Sequence, residues 1–298
     1  MKKFFMALLK GLGYLGIYLA VMFVVQMIWG TVESVRITAE YAEKGMSLSD
    51  PAVMKQYMED YMEAVMEFSV PSTIIVNVVT VAVTCLIFVC RKKKITGELS
   101  LRKFHPGAIV PLILLGLGMN VLTNFVMGFL PEELLNSYQE SASVYDEVGL
   151  VVLLHTLISA PIVEEWVLRG LVFSRMKKGM PVIAAMLISS VLFGLLHGNL
   201  VWAAYATVLG MVLAWVFYRT KSLYASILLH FSYNLCGILL GLFMESAPDW
   251  LGVVLIAVAV VFTLVGIFWF IRIPKAEEPV EDAVAETVEA VTEVSETV

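Results

Sequence analysis

The sequence predicts an all-α, polytopic membrane protein with about eight transmembrane helices. Of its 298 residues, 59% are hydrophobic and only 15% are charged, whereas a soluble domain carries about 25% charged residues. A helix needs about 20 apolar residues to cross the hydrocarbon core of a bilayer. Eight windows meet this requirement, namely residues 11–30, 69–90, 108–130, 148–174, 182–198, 201–218, 222–243 and 251–271.

The positions of Lys and Arg predict the orientation of these helices. If the N-terminus is cytoplasmic and each window crosses once, 16 of the 20 Lys and Arg residues fall in inside segments and three in outside segments. This is the bias of the positive-inside rule. We therefore expect a multi-pass protein of the cell (plasma) membrane with both termini in the cytoplasm. The twentieth basic residue, Arg169, lies within a span and needs a local partner.

The chain divides into one membrane region with two additions. We expect N-terminal transmembrane helices over residues 1–147, a catalytic helical core over 148–243 and a last transmembrane helix over 244–275. The outside loop at 31–68 has Met and Tyr residues at helical spacing, which predicts an amphipathic helix on the outer membrane surface. The acidic tail at 276–298 lacks aromatic residues and is predicted to be disordered.

Ionisable residues within the predicted spans are the candidates for function. A charge at the centre of a bilayer costs about 2.5–3.5 kcal/mol or more, so such residues are rare and are usually functional. All of them lie between the fourth and the seventh window. They are His155, Glu164, Glu165, Arg169, His197 and His230.

Two adjacent glutamates in the fourth span have different surroundings. Glu165 and Arg169 are four residues apart and share a helical face, so we expect a charge-assisted hydrogen bond between them. Glu164 lies ~140° around the helix from Arg169 and has no basic partner on its own helix. One carboxylate is therefore structural, and the other is available for proton transfer. The alternative is that both glutamates balance the charge of Arg169.

Two histidines and an asparagine complete the candidate site. His230 and Asn234 are four residues apart on one helical face, and His197 lies in the fifth span. At the helical rise, Glu164, His197 and His230 fall within a band of roughly 12 Å around mid-membrane. A carboxylate and imidazoles in one cavity can activate water and stabilise an oxyanion. His155 lies on the opposite face from Glu164 and is assigned to packing.

These residues form three motifs in order on successive spans. Their pattern resembles the CPBP family, the CAAX protease and bacteriocin-processing proteins, which is also called the Abi or CAAX prenyl protease type 2 family. The resemblance covers roughly residues 148–240. The motifs are Glu164-Glu165-x-x-x-Arg169, Phe193-x-x-x-His197 and His230-x-x-x-Asn234.

The resemblance implies an intramembrane endopeptidase. By this resemblance, Glu164 activates the water with the help of His197, while His230 and Asn234 stabilise the oxyanion. The ion pair of the fourth span orders the helix around them. Eukaryotic members of the family cleave prenylated CAAX proteins, and bacterial members are linked to bacteriocin maturation or immunity. The expected partners are therefore membrane lipids and a membrane-associated, lipidated or unmodified peptide or protein, with no nucleic acid.

Three alternatives remain open from the sequence. The family is often labelled a metalloprotease, and Glu164, His197 and His230 can serve as zinc ligands. The absence of a His-Glu-x-x-His helix favours catalysis without a cofactor. A non-catalytic immunity or binding protein of the same fold is a second alternative. A proton-coupled transporter is the third, but the crowding of ionisable residues into one half of the chain disfavours it.

The orientation is testable by labelling single cysteines from outside the cell. In a background without Cys85, Cys90 and Cys236, a cysteine at Ser137 should be modified, and a cysteine at Ser100 should not. The reason is that the charge bias places residue 137 outside and residue 100 in the cytoplasm. Modification at both positions, or only at residue 100, would contradict the predicted topology.

Overall fold

A computed structural model describes residues 2–143, 149–244 and 247–277, and all regular elements within these ranges are helices. The fourth predicted span is one continuous helix, α7. A single 3-10 turn, Pro106–Ala108, precedes α5. The helices are α1 Lys2–Glu43, α2 Pro51–Glu67, α3 Ser69–Cys90, α4 Ile95–Glu98, α5 Ile109–Met127, α6 Glu132–Ala142, α7 Leu150–Met176, α8 Val182–Leu195, α9 Leu200–Thr220, α10 Leu223–Met244 and α11 Asp249–Arg272.

Seven of the described helices are long and apolar enough to cross a membrane, which confirms the all-α polytopic fold. The fifth predicted window, residues 182–198, is a shorter apolar helix, α8, which ends at Leu195. Its 14 residues extend ~21 Å at the helical rise, against about 30 Å of hydrocarbon. The helix stops early because Gly198 has a positive φ of 73°. The side chain of Asn199 then caps the first turn of α9.

Helix α7 lies at the centre of the bundle. It contacts α1, α3, α8, α9 and α10, while α5 packs along α10 and α11 on one side. The second half of α7 is buried around its whole circumference, including Leu168, Leu171 and Phe173. A helix that is apolar all round is expected to be enclosed by other helices. The ionisable residues of α7 therefore face protein rather than lipid.

Two glycines allow the helices that carry the candidate histidines to approach their neighbours closely. A Cβ atom at Gly116 of α5 would lie 2.7 Å from the Leu229 carbonyl oxygen of α10. A Cβ atom at Gly194 of α8 would lie 2.4 Å from the Ala203 carbonyl oxygen of α9. Small residues at such contacts let membrane helices pack backbone to backbone. Glycine at these positions thus fixes the separation of α5 from α10 and of α8 from α9.

The region predicted as an outside loop is a helical hairpin. Helix α1 continues to Glu43, and its 42 residues extend ~63 Å, about twice the hydrocarbon thickness. Helix α2 packs back against this projecting part, where the Tyr41 hydroxyl donates to Asp60 at 2.6 Å. The segment therefore contains the expected helix, and α1 supplies a packing partner for it; its position on the outer membrane surface stays a prediction.

The methionines of α2 form an exposed row at a spacing of four residues. These side chains are Met54, Met58, Met62 and Met66.

The predicted acidic tail falls almost entirely at residues 278–298, outside the described residues. Its disorder and the domain boundaries therefore stay predictions.

Candidate active site

The site is organised around the carboxylate of Glu165, which is fully buried on α7. Its Oε1 atom accepts a hydrogen bond from Arg169 Nη1 at 2.8 Å, so the pair predicted from the helical spacing is present. The same oxygen accepts a second hydrogen bond from His230 Nδ1 at 3.1 Å. Two donors on one oxygen compensate part of the cost of burying the charge. Glu165 therefore joins α7 to α10 as well as pairing with Arg169.

Arg169 is also fully buried and makes two further contacts. Its Nη2 atom donates to the Gly210 carbonyl oxygen of α9 at 3.0 Å. Its guanidinium carbon lies 4.6 Å from the centre of the Phe193 ring on α8, a cation–π contact. The residue thus ties α7 to both α8 and α9. The planar fork of arginine makes these contacts simultaneous, since its nitrogens point in fixed, different directions.

His230 lies between the two glutamates. Its Nδ1 atom bonds to Glu165, and its Nε2 atom lies 3.7 Å from Glu164 Oε2. The Glu164 side chain is 24% exposed, whereas Glu165 is wholly buried. The two carboxylates therefore differ in surroundings: Glu165 is buried in an ion pair, and Glu164 is partly exposed beside an imidazole. This difference is the physical basis for giving adjacent carboxylates different roles.

His197 lies at the end of α8 rather than within a long span. Its Nδ1 atom is 2.9 Å from the Phe193 carbonyl oxygen. Its ring contacts Trp202 at 5.3 Å and Phe193 at 5.1 Å between ring centres. The Phe193 ring is also 5.7 Å from the ring of His230. The structure therefore brings Glu164, Glu165 and His230 into direct proximity, and it connects His197 to them through Phe193.

The hydrogen bonds of the two histidines determine their neutral tautomers. A carbonyl oxygen and an ionised carboxylate can only accept hydrogen bonds, so Nδ1 carries the proton in both His197 and His230. Each neutral imidazole then has a lone pair on Nε2. In His230 that nitrogen is the one that faces Glu164. A neutral His230 is therefore an acceptor on the side that faces Glu164, which differs from the oxyanion donor that the resemblance implies.

Helix α7 contains two π-helical segments, at His155–Ser159 and Trp166–Phe173, which flank the two glutamates. The fourth span is therefore helical throughout but departs from α-helical geometry in these two segments. Departures of this kind inside α-helices occur frequently at functional sites. The first segment ends next to Pro161, and the second is completed by Ser174, whose hydroxyl donates to the Arg169 carbonyl oxygen at 2.8 Å. His155 is buried in the first segment.

Asn234 lies on α10, one turn after His230, and its amide points back at α7. Its Nδ2 atom donates to the Thr156 carbonyl oxygen at 2.8 Å. This carbonyl is in the first π-helical segment. Asn234 is thus in the predicted neighbourhood, but its hydrogen bond is to the main chain.

Sequence reasoning missed the contribution of α3, which has no ionisable residue. Asn77 Nδ2 donates to the Ser159 hydroxyl at 2.9 Å, and Trp166 Nε1 donates to the Thr84 hydroxyl at 3.1 Å. These bonds hold α7 on both sides of the glutamates. The sequence signal for this contribution is a set of polar residues at helical spacing, at positions 77, 80 and 84, in an otherwise apolar span.

The metal alternative depends on whether Glu164, His197 and His230 can share one ion. The tautomers suit it, because metal-binding histidines usually donate their other N–H to a carboxylate or carbonyl oxygen. The distances do not: within residues 2–143, 149–244 and 247–277, no group of three His, Cys, Asp or Glu side chains is close enough to hold a metal ion. The arrangement therefore does not fit a three-ligand site.

Comparison with known proteins finds matches over the region of the chain that carries these residues. Residues 146–236 match the family model for the type II CAAX prenyl endopeptidase Rce1-like proteins. The chain is 30% identical over 96 residues to a Bacillus subtilis (strain 168) protein named "Putative membrane peptidase YdiL". That alignment covers 32% of this chain and 39% of the relative. No solved structure matches the chain. The chain is thus a multi-pass membrane protein by the length and apolarity of its helices, and its residues 146–236 are similar to the Rce1-like proteins.

Changing each of the two glutamates to glutamine should affect stability and turnover differently. Glu164→Gln should abolish turnover and leave the melting temperature in detergent almost unchanged, since this side chain is partly exposed. Glu165→Gln should lose both stability and turnover, and Arg169→Gln should resemble it. Removing one partner of a buried ion pair costs about 3–5 kcal/mol. If Glu164→Gln is the unstable variant and Glu165→Gln the stable, inactive one, the roles are reversed.

Proposed function

We propose that this protein is an intramembrane endopeptidase in which Glu164 activates a water molecule for peptide-bond hydrolysis. The observation that carries the proposal is the buried chain of contacts from Arg169 through Glu165 and His230 to Glu164. It orients an imidazole nitrogen towards a partly open carboxylate. A base and a second polar group within reach of the same water are what hydrolysis without a covalent intermediate requires.

The geometry supports a specific position for the water. Glu164 Oε2 and His230 Nε2 are 3.7 Å apart, so one water oxygen can lie about 2.8 Å from both. One O–H of the water donates to the carboxylate, and the other donates to the Nε2 lone pair. The water oxygen then attacks the peptide carbonyl carbon as Glu164 takes the proton. When the C–N bond breaks, Glu164 returns this proton to the leaving amine.

Two further residues have supporting roles in this proposal. Asn234 has a second amide hydrogen besides the one bonded to Thr156, and this hydrogen can donate to the oxyanion. His197 is half-buried at the end of α8, and its Nε2 lone pair suits proton exchange between the cavity and water at that end of the bundle. Glu165 and Arg169 hold the acceptor that orients His230. In this proposal His230 binds the water, and the amide of Asn234 stabilises the oxyanion.

We further propose a membrane-associated peptide or protein as substrate, of the CAAX or bacteriocin-precursor type. An apolar cavity of about 530 Å³ between α5, α6 and α9 supports an apolar substituent on it, since ligand pockets measure about 300–1,000 Å³. The cavity is lined partly by Tyr205, and aromatic contacts lead from there through Tyr138 and Trp202 to His197. The cavity is thus connected to His197 by three successive ring contacts.

The proposed mechanism does not use a metal ion. In line with the separation of the three candidate ligands, catalysis rests on Glu164 and the two histidines. Cleavage by the purified protein should then survive exhaustive chelation. Loss of cleavage on chelation, with recovery on adding zinc, would make Glu164, His197 and His230 the ligand candidates and Glu165 the candidate base.

The proposal is tested by mapping new peptide termini in membranes of cells that express the protein. Cells with the wild-type protein should contain termini that are absent with Glu164→Gln. The control variant is Glu59→Gln, the same chemical change at an exposed residue of α2 that forms a surface ion pair with Lys55. Its termini should match those of the wild type. An internally quenched farnesylated CAAX peptide and its unmodified counterpart provide the purified assay.

The rival functions give other results in the same experiment. A non-catalytic immunity or binding protein keeps its biological effect in the Glu164→Gln variant, and the termini do not differ from the wild type. A proton-coupled transporter loses its effect without any change in the termini. Either result would contradict the protease proposal.

A further inference from the structure

We infer that Asn234 is a positioning residue: its amide replaces the backbone donor that Pro161 lacks and thereby sets the position of Glu164 against His230. The inference rests on the proposed function, because it assigns a role within that site. It concerns the contact between α10 and the first π-helical segment of α7. Its evidence is the hydrogen-bond register of that segment, which is independent of the charged groups.

The register shows which carbonyl is left without its helical donor. In the π-helical segment the amide of residue i+5 donates to the carbonyl oxygen of residue i. The Ala160 N–H follows this pattern and donates to the His155 carbonyl oxygen. The next bond in the register would run from residue 161 to the Thr156 carbonyl oxygen. Residue 161 is proline, which has no N–H.

Asn234 supplies the missing donor from another helix. Its Nδ2 atom lies 2.8 Å from the Thr156 carbonyl oxygen, an ideal distance for such a bond. Within a bilayer no water is available to satisfy a freed carbonyl, so neighbouring side chains take this role at proline positions. Pro161 is itself buried, which places the break inside the bundle. The proline and the asparagine therefore form one structural unit across two helices.

This unit has a direct consequence for the active site. Pro161 is three residues before Glu164 on α7, and Asn234 is one turn after His230 on α10. The bond between Asn234 and Thr156 therefore fixes the longitudinal register of the two helices next to the contact between Glu164 and His230. A shift of either helix would change the 3.7 Å separation between those two side chains. Misplacement by 1 Å can reduce a catalytic rate by about 100-fold.

A double-mutant cycle between Asn234 and Pro161 tests the inference. Pro161→Ala restores an N–H that can bond to the freed carbonyl. Asn234→Ala alone should lower the melting temperature and should lower kcat with little change in KM. In the Pro161→Ala background, Asn234→Ala should lower the melting temperature and kcat by less than it does in the wild-type protein. The coupling in kcat should be about three- to tenfold, which corresponds to one hydrogen bond.

The control is Asn124→Ala on α5, an exposed asparagine whose amide also donates to a carbonyl oxygen, that of the buried Asn120 in its own helix. Its effects should simply add to those of Pro161→Ala, because distant sites do not couple. If Asn234→Ala lowers kcat by the same factor in both backgrounds, the amide acts on the substrate alone and the inference is overturned.

The melting temperatures separate this inference from the protease proposal. They report the coupling between Asn234 and Pro161 whether or not any substrate is cleaved. If the melting temperatures show coupling but the wild-type protein cleaves nothing, the structural unit is supported. The same result contradicts the protease proposal and the catalytic part of the inference. Additive melting temperatures would overturn the structural unit even if cleavage is observed.

Discussion

The carboxylate of Glu165 is the interaction on which the rest of the site depends. It is wholly buried, and one of its oxygens accepts hydrogen bonds from both Arg169 and His230. An isolated charge in this position would be prohibitively costly, so the three groups must stay together for the bundle to be stable. The same contacts fix the ring of His230, and therefore its Nε2 atom, in front of Glu164. A single ion pair thus serves both stability and the geometry of the proposed reaction.

Backbone polarity is the second constraint. In a bilayer every carbonyl must find a donor within the protein, and α7 departs from α-helical geometry on both sides of its glutamates. Asn234 from α10 compensates by donating to the Thr156 carbonyl oxygen, and Asn77 from α3 holds the same segment through the Ser159 hydroxyl. The helix that carries the candidate base is therefore held by its neighbours on α3 and α10.

Several features could be predicted from the sequence because they depend on local spacing. The pair of Glu165 and Arg169 follows from a separation of four residues, and the polytopic fold follows from the length of the apolar windows. The catalytic roles themselves stay predictions. The family resemblance rests on the same motifs, and residues 146–236 match the Rce1-like family model.

Other features could not be predicted because they depend on contacts between helices. The second bond of Glu165, to His230, joins residues 65 positions apart. The π-helical register around Pro161 depends on a donor from α10. The early end of α8 places His197 at a helix terminus, and the extension of α1 requires packing by α2. Each of these needs a partner that hydropathy and spacing do not reveal.

The most direct measurement of the central claim is the stability and turnover of Arg169→Lys. Lysine keeps the positive charge, but its single ammonium group cannot reproduce the fork that joins Glu165 to the Gly210 carbonyl oxygen. Arg36→Lys, at a residue with a 56% exposed side chain, is the matched control. If the network of Glu165 is structural and orienting, Arg169→Lys should lose melting temperature and turnover, and Arg36→Lys should lose neither. Wild-type melting temperature and turnover in Arg169→Lys would contradict the account.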